Sequence, residues 1–124
     1  MKSYPMLVVQ NVPSSSRWYQ ELLGATSGHG DDEFEMIMSG HELLLTLHHS
    51  DLEEHPSLSV PNETPGSGVL LYFSVEDVAP VFERVQAMGA ELIDVPHMNE
   101  KASSVEFNLY DPDGYAVTVS QWKG

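Results

Sequence analysis

The sequence has no cysteine and only five Lys and Arg residues. The first absence excludes a disulfide framework, a thiolate metal site and a cysteine nucleophile. The second is set against 19 Asp and Glu, for a formal charge of −14. That balance argues against nucleic acid as a partner, because phosphate recognition needs clustered cations. It argues equally against anionic membrane surfaces. Long apolar runs are missing too. Leu43 to Leu45 is typical, far short of the roughly 20 residues that cross a bilayer. No basic, apolar leader opens the chain. The expectation is a soluble, cytoplasmic protein whose 124 residues make a single domain. The acidity suits a cationic ligand, although solubility and mutual repulsion explain it more simply.

What is present falls into two similar halves. Met6 to Val9 is a short β-branched strand segment, and Asn11-Val12-Pro13 is a helix start. Trp18, Tyr19, Leu22 and Leu23 follow at helical spacing, and Gly24 stops the helix. Strands are predicted at Thr26 to Gly30, Phe34 to Ser39 and Glu42 to His49. The pattern restarts with a strand at Gly68 to Val75 and a helix capped by Glu76-Asp77 and stopped by Gly89. Val81, Phe82, Val85 and Met88 form its stripe. Ala90 to Val95, Val105 to Tyr110 and Tyr115 to Trp122 read as strands. The last two are joined by Asp111-Pro112-Asp113-Gly114, whose Pro, Asp and Gly each favour a tight turn. Residues 51–67 are proline-rich and acidic and read as a linker between module 1 (about 1–50) and module 2 (68–124).

Val9-Gln10-Asn11-Val12 aligns with Val75-Glu76-Asp77-Val78, and Leu23-Gly24-Ala25 with Met88-Gly89-Ala90, one residue out of step. The fold class is therefore α+β: a duplicated βαβββ module. Each helix covers one sheet face, and the remaining faces curl into a cup.

Four segments carry a family resemblance. Val9 to Val12 followed by Trp18-Tyr19-Gln20-Glu21-Leu22-Leu23-Gly24 resembles the "FYxxxLG" region of the vicinal oxygen chelate superfamily. This superfamily comprises the glyoxalases, bleomycin-resistance proteins and ring-cleaving dioxygenases. Tyr72 to Val78 resembles its "FxVxDl" run, and Asp111 to Tyr115 its "DPDG" hairpin. The resemblance spans nearly the whole chain and implies the fold, but no single reaction.

In catalytic members of that family, a divalent metal is held by His, Glu or similar residues on four strands. Carried over residue by residue, those positions fall on Tyr4, on Thr46 (or, by slippage, His48), on Leu70 and on Thr118. Phenol, hydroxyl and isobutyl groups are poor ligands or none for a hard cation. The chain is thus similar to the metal-free bleomycin-resistance branch, which binds a ligand without transforming it. No cofactor, metal ligand or catalytic residue is expected. The family resemblance implies a homodimer, and shared sheet edges give a physical reason for one.

Period-two alternation assigns a lining. Tyr4, Met6 and Val8 share one face, as do Leu44, Thr46 and His48. Leu70, Tyr72 and Ser74 form another such set, and Ala116, Thr118 and Ser120 a fourth. Glu106 and Asn108 share a face of their strand, where Glu106 is either a structural acid or a partner for a cationic amine. Trp122 reads as a cap on the cup or a dimer contact. Aromatic, methionine and hydroxyl groups together suit a partly aromatic small molecule. The alternative is a metal-dependent lyase, isomerase or dioxygenase with a rearranged site using His48, Glu106 or Tyr4. His48-His49-Ser50-Asp51-Leu52-Glu53-Glu54-His55 is rich in ligand-type residues, but adjacent strand histidines point to opposite faces. The Asp31-Asp32-Glu33 run reads as solvated surface, and Ser14-Ser15-Ser16 as helix capping.

Overall fold

A computed structural model describes residues 2–49 and 69–123. The predicted linker, 51–67, lies outside the described residues. The chain divides into two compact units, Met1–Glu63 and Thr64–Gly124.

The first unit runs β1 (Met6–Val9), α1 (Val12–Leu23), β2 (Thr26–Gly30), β3 (Phe34–Ser39) and β4 (Glu42–His49). Its sheet has the order β1-β4-β3-β2, with β1 parallel to β4 and the remaining pairs antiparallel. The second unit runs β5 (Leu70–Ser74), α2 (Val78–Met88), β6 (Glu91–Leu92), β7 (His97–Asn99), β8 (Ser104–Tyr110) and β9 (Ala116–Ser120). Its sheet has the order β5-β9-β8-β6, with β7 also on β8 and β5 parallel to β9. Both units are built alike: a first strand joins the last in parallel, and a helix crosses between.

The same local chemistry starts and stops both helices. Asn11 caps α1, its Oδ1 accepting from Ser14 N at 2.9 Å, and Asp77 caps α2, accepting from Ala79 N at 3.1 Å. Each side chain satisfies an amide that the first helical turn leaves without a carbonyl partner. The serines expected to cap α1 sit inside it instead, with Ser15 and Ser16 buried. Both helices end on left-handed glycines, Gly24 (φ 62°) and Gly89 (φ 68°). An L side chain is strained in that conformation, which is why the pattern stops at these two residues.

The cores follow the alternation. Leu7, Val9, Ile37, Leu45 and Leu47 are buried in the first unit with Tyr19 and Leu22 of α1. In the second, Leu71, Phe107, Leu109, Val117 and Val119 are buried with Val81 and Val85 of α2. Phe82 meets Phe107 edge to face, with ring centroids 5.2 Å apart. Each fully buried side chain of this size contributes about 1.5–3 kcal/mol of burial.

Two expectations are corrected. The strand predicted over Ala90 to Val95 pairs only at Glu91–Leu92. Ile93 and Asp94 instead both turn their amides to the Asn108 carbonyl, and the Asp94 carboxylate takes the Asn108 amide at 2.7 Å. Pairing with β8 resumes beyond Pro96 as β7, so β6 and β7 are two pieces along one flank of β8 and the two-module βαβββ plan stands, with this strand broken. Proline cannot donate to a ladder, and it separates the two short strands. On β4 the register slips by one residue at Leu44, since Ile37 pairs with Leu45 but Met38 with Leu43. The simple alternation predicted for Leu44 is therefore interrupted there.

Candidate functional site

Each unit presents a sheet face opposite the set of core residues, and the residues singled out from the sequence lie on or beside these faces. In the first unit, β4 is buried on both sides from Leu45 to Leu47 and on to His48. Thr46 stands in register between Met6 and Met36, and His48 between Val8 and Phe34. Thr46 Oγ1 donates to the Pro5 carbonyl at 3.1 Å, and His48 Nδ1 lies 2.8 Å from the His49 carbonyl. Tyr4 precedes β1 and is 56% exposed.

In the second unit, the face opposite α2 consists of three cross-strand rows. Leu70, Ala116 and Tyr110 form one, with Leu70 and Tyr110 exposed. Tyr72, Thr118 and Asn108 form the next, and Ser74, Ser120 and Glu106 the third. The middle row is knit together. Thr118 Oγ1 donates to Asn108 Oδ1 at 2.5 Å, and Asn108 Nδ2 donates to Asp94 Oδ2 at 2.9 Å. In the third row, Glu106 is 6% exposed and accepts at Oε1 from Asn99 Nδ2 at 2.6 Å. Ser104 and Ser120 hydroxyls lie 3.3 Å apart. Trp122 follows β9, and its ring meets Tyr72 edge to face at 5.9 Å.

Asn99 and Asp94, which orient Glu106 and Asn108, were not found from the sequence. The signal for Asn99 was its own turn: Oδ1 accepts from Lys101 N at 3.1 Å and Ala102 N at 3.3 Å. That geometry fixes which end of the amide points to Glu106. Nothing local marks Asp94, because its partner is 14 residues away on β8.

The side chains at the positions to which the family resemblance carries the metal ligands, Tyr4, Thr46 (or, by slippage, His48), Leu70 and Thr118, are together a poor set for a divalent ion. Leu70 carries no donor atom. The Thr46 and Thr118 hydroxyls are neutral and engaged as donors. Tyr4 offers a phenol, a weak ligand unless ionised. Among the described residues, no three His, Asp or Glu side chains are grouped so as to share a metal ion. No helix among them is long and apolar enough to cross a membrane.

The sequence matches the family described as "Glyoxalase/Bleomycin resistance protein/Dioxygenase superfamily" over residues 3–119. No protein of curated function matches it. Among solved structures, a glyoxalase/bleomycin resistance protein/dioxygenase family enzyme from Burkholderia phytofirmans PsJN superposes with TM-score 0.81 at 21% identity, covering 98% of each chain. A protein of unknown function from Agrobacterium tumefaciens C58 gives TM-score 0.79 at 28% identity, over 97% of this chain and 93% of the other. TioX from Micromonospora sp. ML1 gives 0.76 at 13% identity, over 98% and 100%. At these identities, the Burkholderia and Micromonospora likenesses speak to the fold alone.

Proposed function

Since this chain belongs to the glyoxalase/bleomycin resistance protein/dioxygenase superfamily, we propose that it binds a small molecule without the help of a metal ion. It sequesters a partly aromatic ligand, cationic in preference, rather than transforming it. One observation carries this reading. The positions to which the family resemblance carries the metal ligands hold Tyr4, Thr46 (or, by slippage, His48), Leu70 and Thr118, and both threonine hydroxyls are occupied as hydrogen-bond donors. None of these groups polarises a guest as a Lewis acid would, which leaves packing and hydrogen bonds on each unit's own sheet face to hold one. Met6, Met36 and Phe34 supply adaptable apolar surface in the first unit, and Tyr72 and Trp122 in the second. The reading extends to a cytoplasmic homodimer.

The test is elemental analysis of the purified protein together with thermal shifts against a library of planar and cationic compounds. A ligand that binds only the native state raises the melting temperature by mass action. The expected outcome is ligand-induced shifts that chelator leaves unchanged. Stoichiometric nickel, zinc, iron or manganese would overturn the reading.

A second reading, a lyase or isomerase with a rearranged site, has one observation in its favour: the buried carboxylate of Glu106, a group suited to proton transfer. It requires turnover that His48→Ala or Glu106→Gln abolishes.

A further inference from the structure

Glu106 is a buried carboxylate with a prepared orientation and, among the described residues, no ion pair. Its Oε1 is held by the Asn99 amide, which is itself anchored through Oδ1 to the backbone of the β7–β8 turn. No described group donates to Oε2. No buried side-chain oxygen or nitrogen among the described residues lacks a partner, so Oε2 is not sealed from solvent. Two basic residues of the same unit, Lys123 and His97, are directed elsewhere. Lys123 pairs with Glu76 at 3.3 Å and also donates to the Val75 carbonyl. His97 stands opposite Glu106 in the β7–β8 register, but its Nδ1 is turned to the Val95 carbonyl at 2.8 Å and lies 3.9 Å from Asp94. A buried carboxylate without a countercharge is costly, and such a group is conventionally found where a cation completes it.

The second observation is aromatic. Trp122 is pinned to the row that contains Glu106. Its amide donates to Ser120 Oγ at 3.0 Å, its carbonyl accepts from Ser74 Oγ, and Ser120 is the cross-strand neighbour of Glu106. The Trp122 and Tyr72 rings stack edge to face, yet remain 44% and 40% exposed. Aromatic faces attract cations and flat apolar groups alike. With a formal charge of −14, the chain also draws cations toward it over a longer range.

We infer that the face of the second sheet opposite α2 binds a small organic cation bearing an aromatic group, with its ammonium on Glu106 and its ring against Tyr72 and Trp122. This rests on the small-molecule reading above and names the class of ligand. Asn99 acts as a positioning residue that holds Oε2 toward the ligand.

The experiment uses three probes of one shape: phenethylamine, 2-phenylethanol and 3-phenylpropionate. Binding to the full chain is followed at pH 8 in low salt, by tryptophan fluorescence and calorimetry. The amine is expected to bind about tenfold or more tighter than the alcohol, as a charge-assisted hydrogen bond implies. The acid is expected to bind weakest. Glu106→Gln, which keeps an acceptor for Asn99, should remove the preference and make amine and alcohol equal. Trp122→Leu, at an exposed position, should weaken both by about fivefold; it carries the test should Glu106→Gln not fold. Equal binding of amine and alcohol by the native protein overturns the inference while leaving small-molecule binding standing. So does discrimination that survives Glu106→Gln. Failure of all three probes overturns the inference alone, as does a dimer that Trp122→Asp dissociates, which would assign the aromatic face to a second copy of the chain; the small-molecule reading falls only if the compound library also gives no thermal shift.

Discussion

The hydroxyl of Thr118 donates to Oδ1 of Asn108 across the β8–β9 ladder, and this bond engages its one donor. Thr118 is 1% exposed, so no water substitutes for its partner. The bond continues through Asn108 Nδ2 to Asp94, tying β9 to the irregular segment between β6 and β7.

Thr118→Val keeps the shape of the side chain and removes the donor. We expect a loss of about 1–2 kcal/mol, the cost of an unsatisfied polar group in a buried site. It should be read as a lower urea midpoint with an unchanged slope. A midpoint equal to that of the native protein would show that the bond contributes nothing.

The two helix caps are equivalent in place and should be equivalent in energy. Asn11→Ala and Asp77→Ala are each expected to cost about 1 kcal/mol, and Asn11→Asp to be tolerated. Denaturation of the single and double variants tests this. The double variant should show the sum, because the caps share no partner.

Gly30 makes room for Glu35. A Cβ at residue 30 would collide with the Glu35 carboxyl, which is buried and accepts from Ser27 Oγ. Gly30→Ala should therefore make the flexible end of Glu35 shift and weaken its bond from Ser27, a cost of up to about 1 kcal/mol. In the background of Glu35→Ala the same change should cost much less, because the colliding group is gone. A double-mutant cycle by chemical denaturation reads that coupling.

Asp31 turns the chain between β2 and β3. Its Oδ1 accepts from the Glu33 amide at 2.8 Å and the Phe34 amide at 2.9 Å. The Glu33 hydrogen bond, then that from Phe34, holds its carboxyl below the ordinary value of 3.8. A carboxyl depressed in the folded state contributes stability above its unfolded pKa. That stability is lost as pH falls through the lower folded value. Titration by carboxyl-detected NMR should place Asp31 below 3.8. Asp31→Asn, which keeps the acceptor but not the charge, should flatten the acid limb of the stability profile below about pH 4.

Both caps, both glycine stops, the Asp111–Tyr115 turn and the core alternation of β5 and β9 can be read directly from the residues. Each depends on chemistry within a few residues: a side chain reaching its own helix, a positive φ, a period of two. Asp111 shows this, since it accepts from both Asp113 N and Tyr115 N at 2.8 Å within the turn itself. The residue types at the metal-ligand positions are likewise a matter of sequence alone. Leu70 cannot bind a cation in any fold.

The amino-acid order thus determined which side chains face away from the core and which residue types stand at the positions that the family resemblance singles out. The tertiary structure alone decided how those side chains are held. Strand β7 exists because β8 offers it an edge beyond Pro96, and it delivers Asn99 to Glu106. Asp94 reaches Asn108 only because the chain leaves the ladder after Leu92. These contacts join residues that are distant or irregularly spaced. Their partners are fixed by strand register, a property of the assembled sheet that no local pattern encodes.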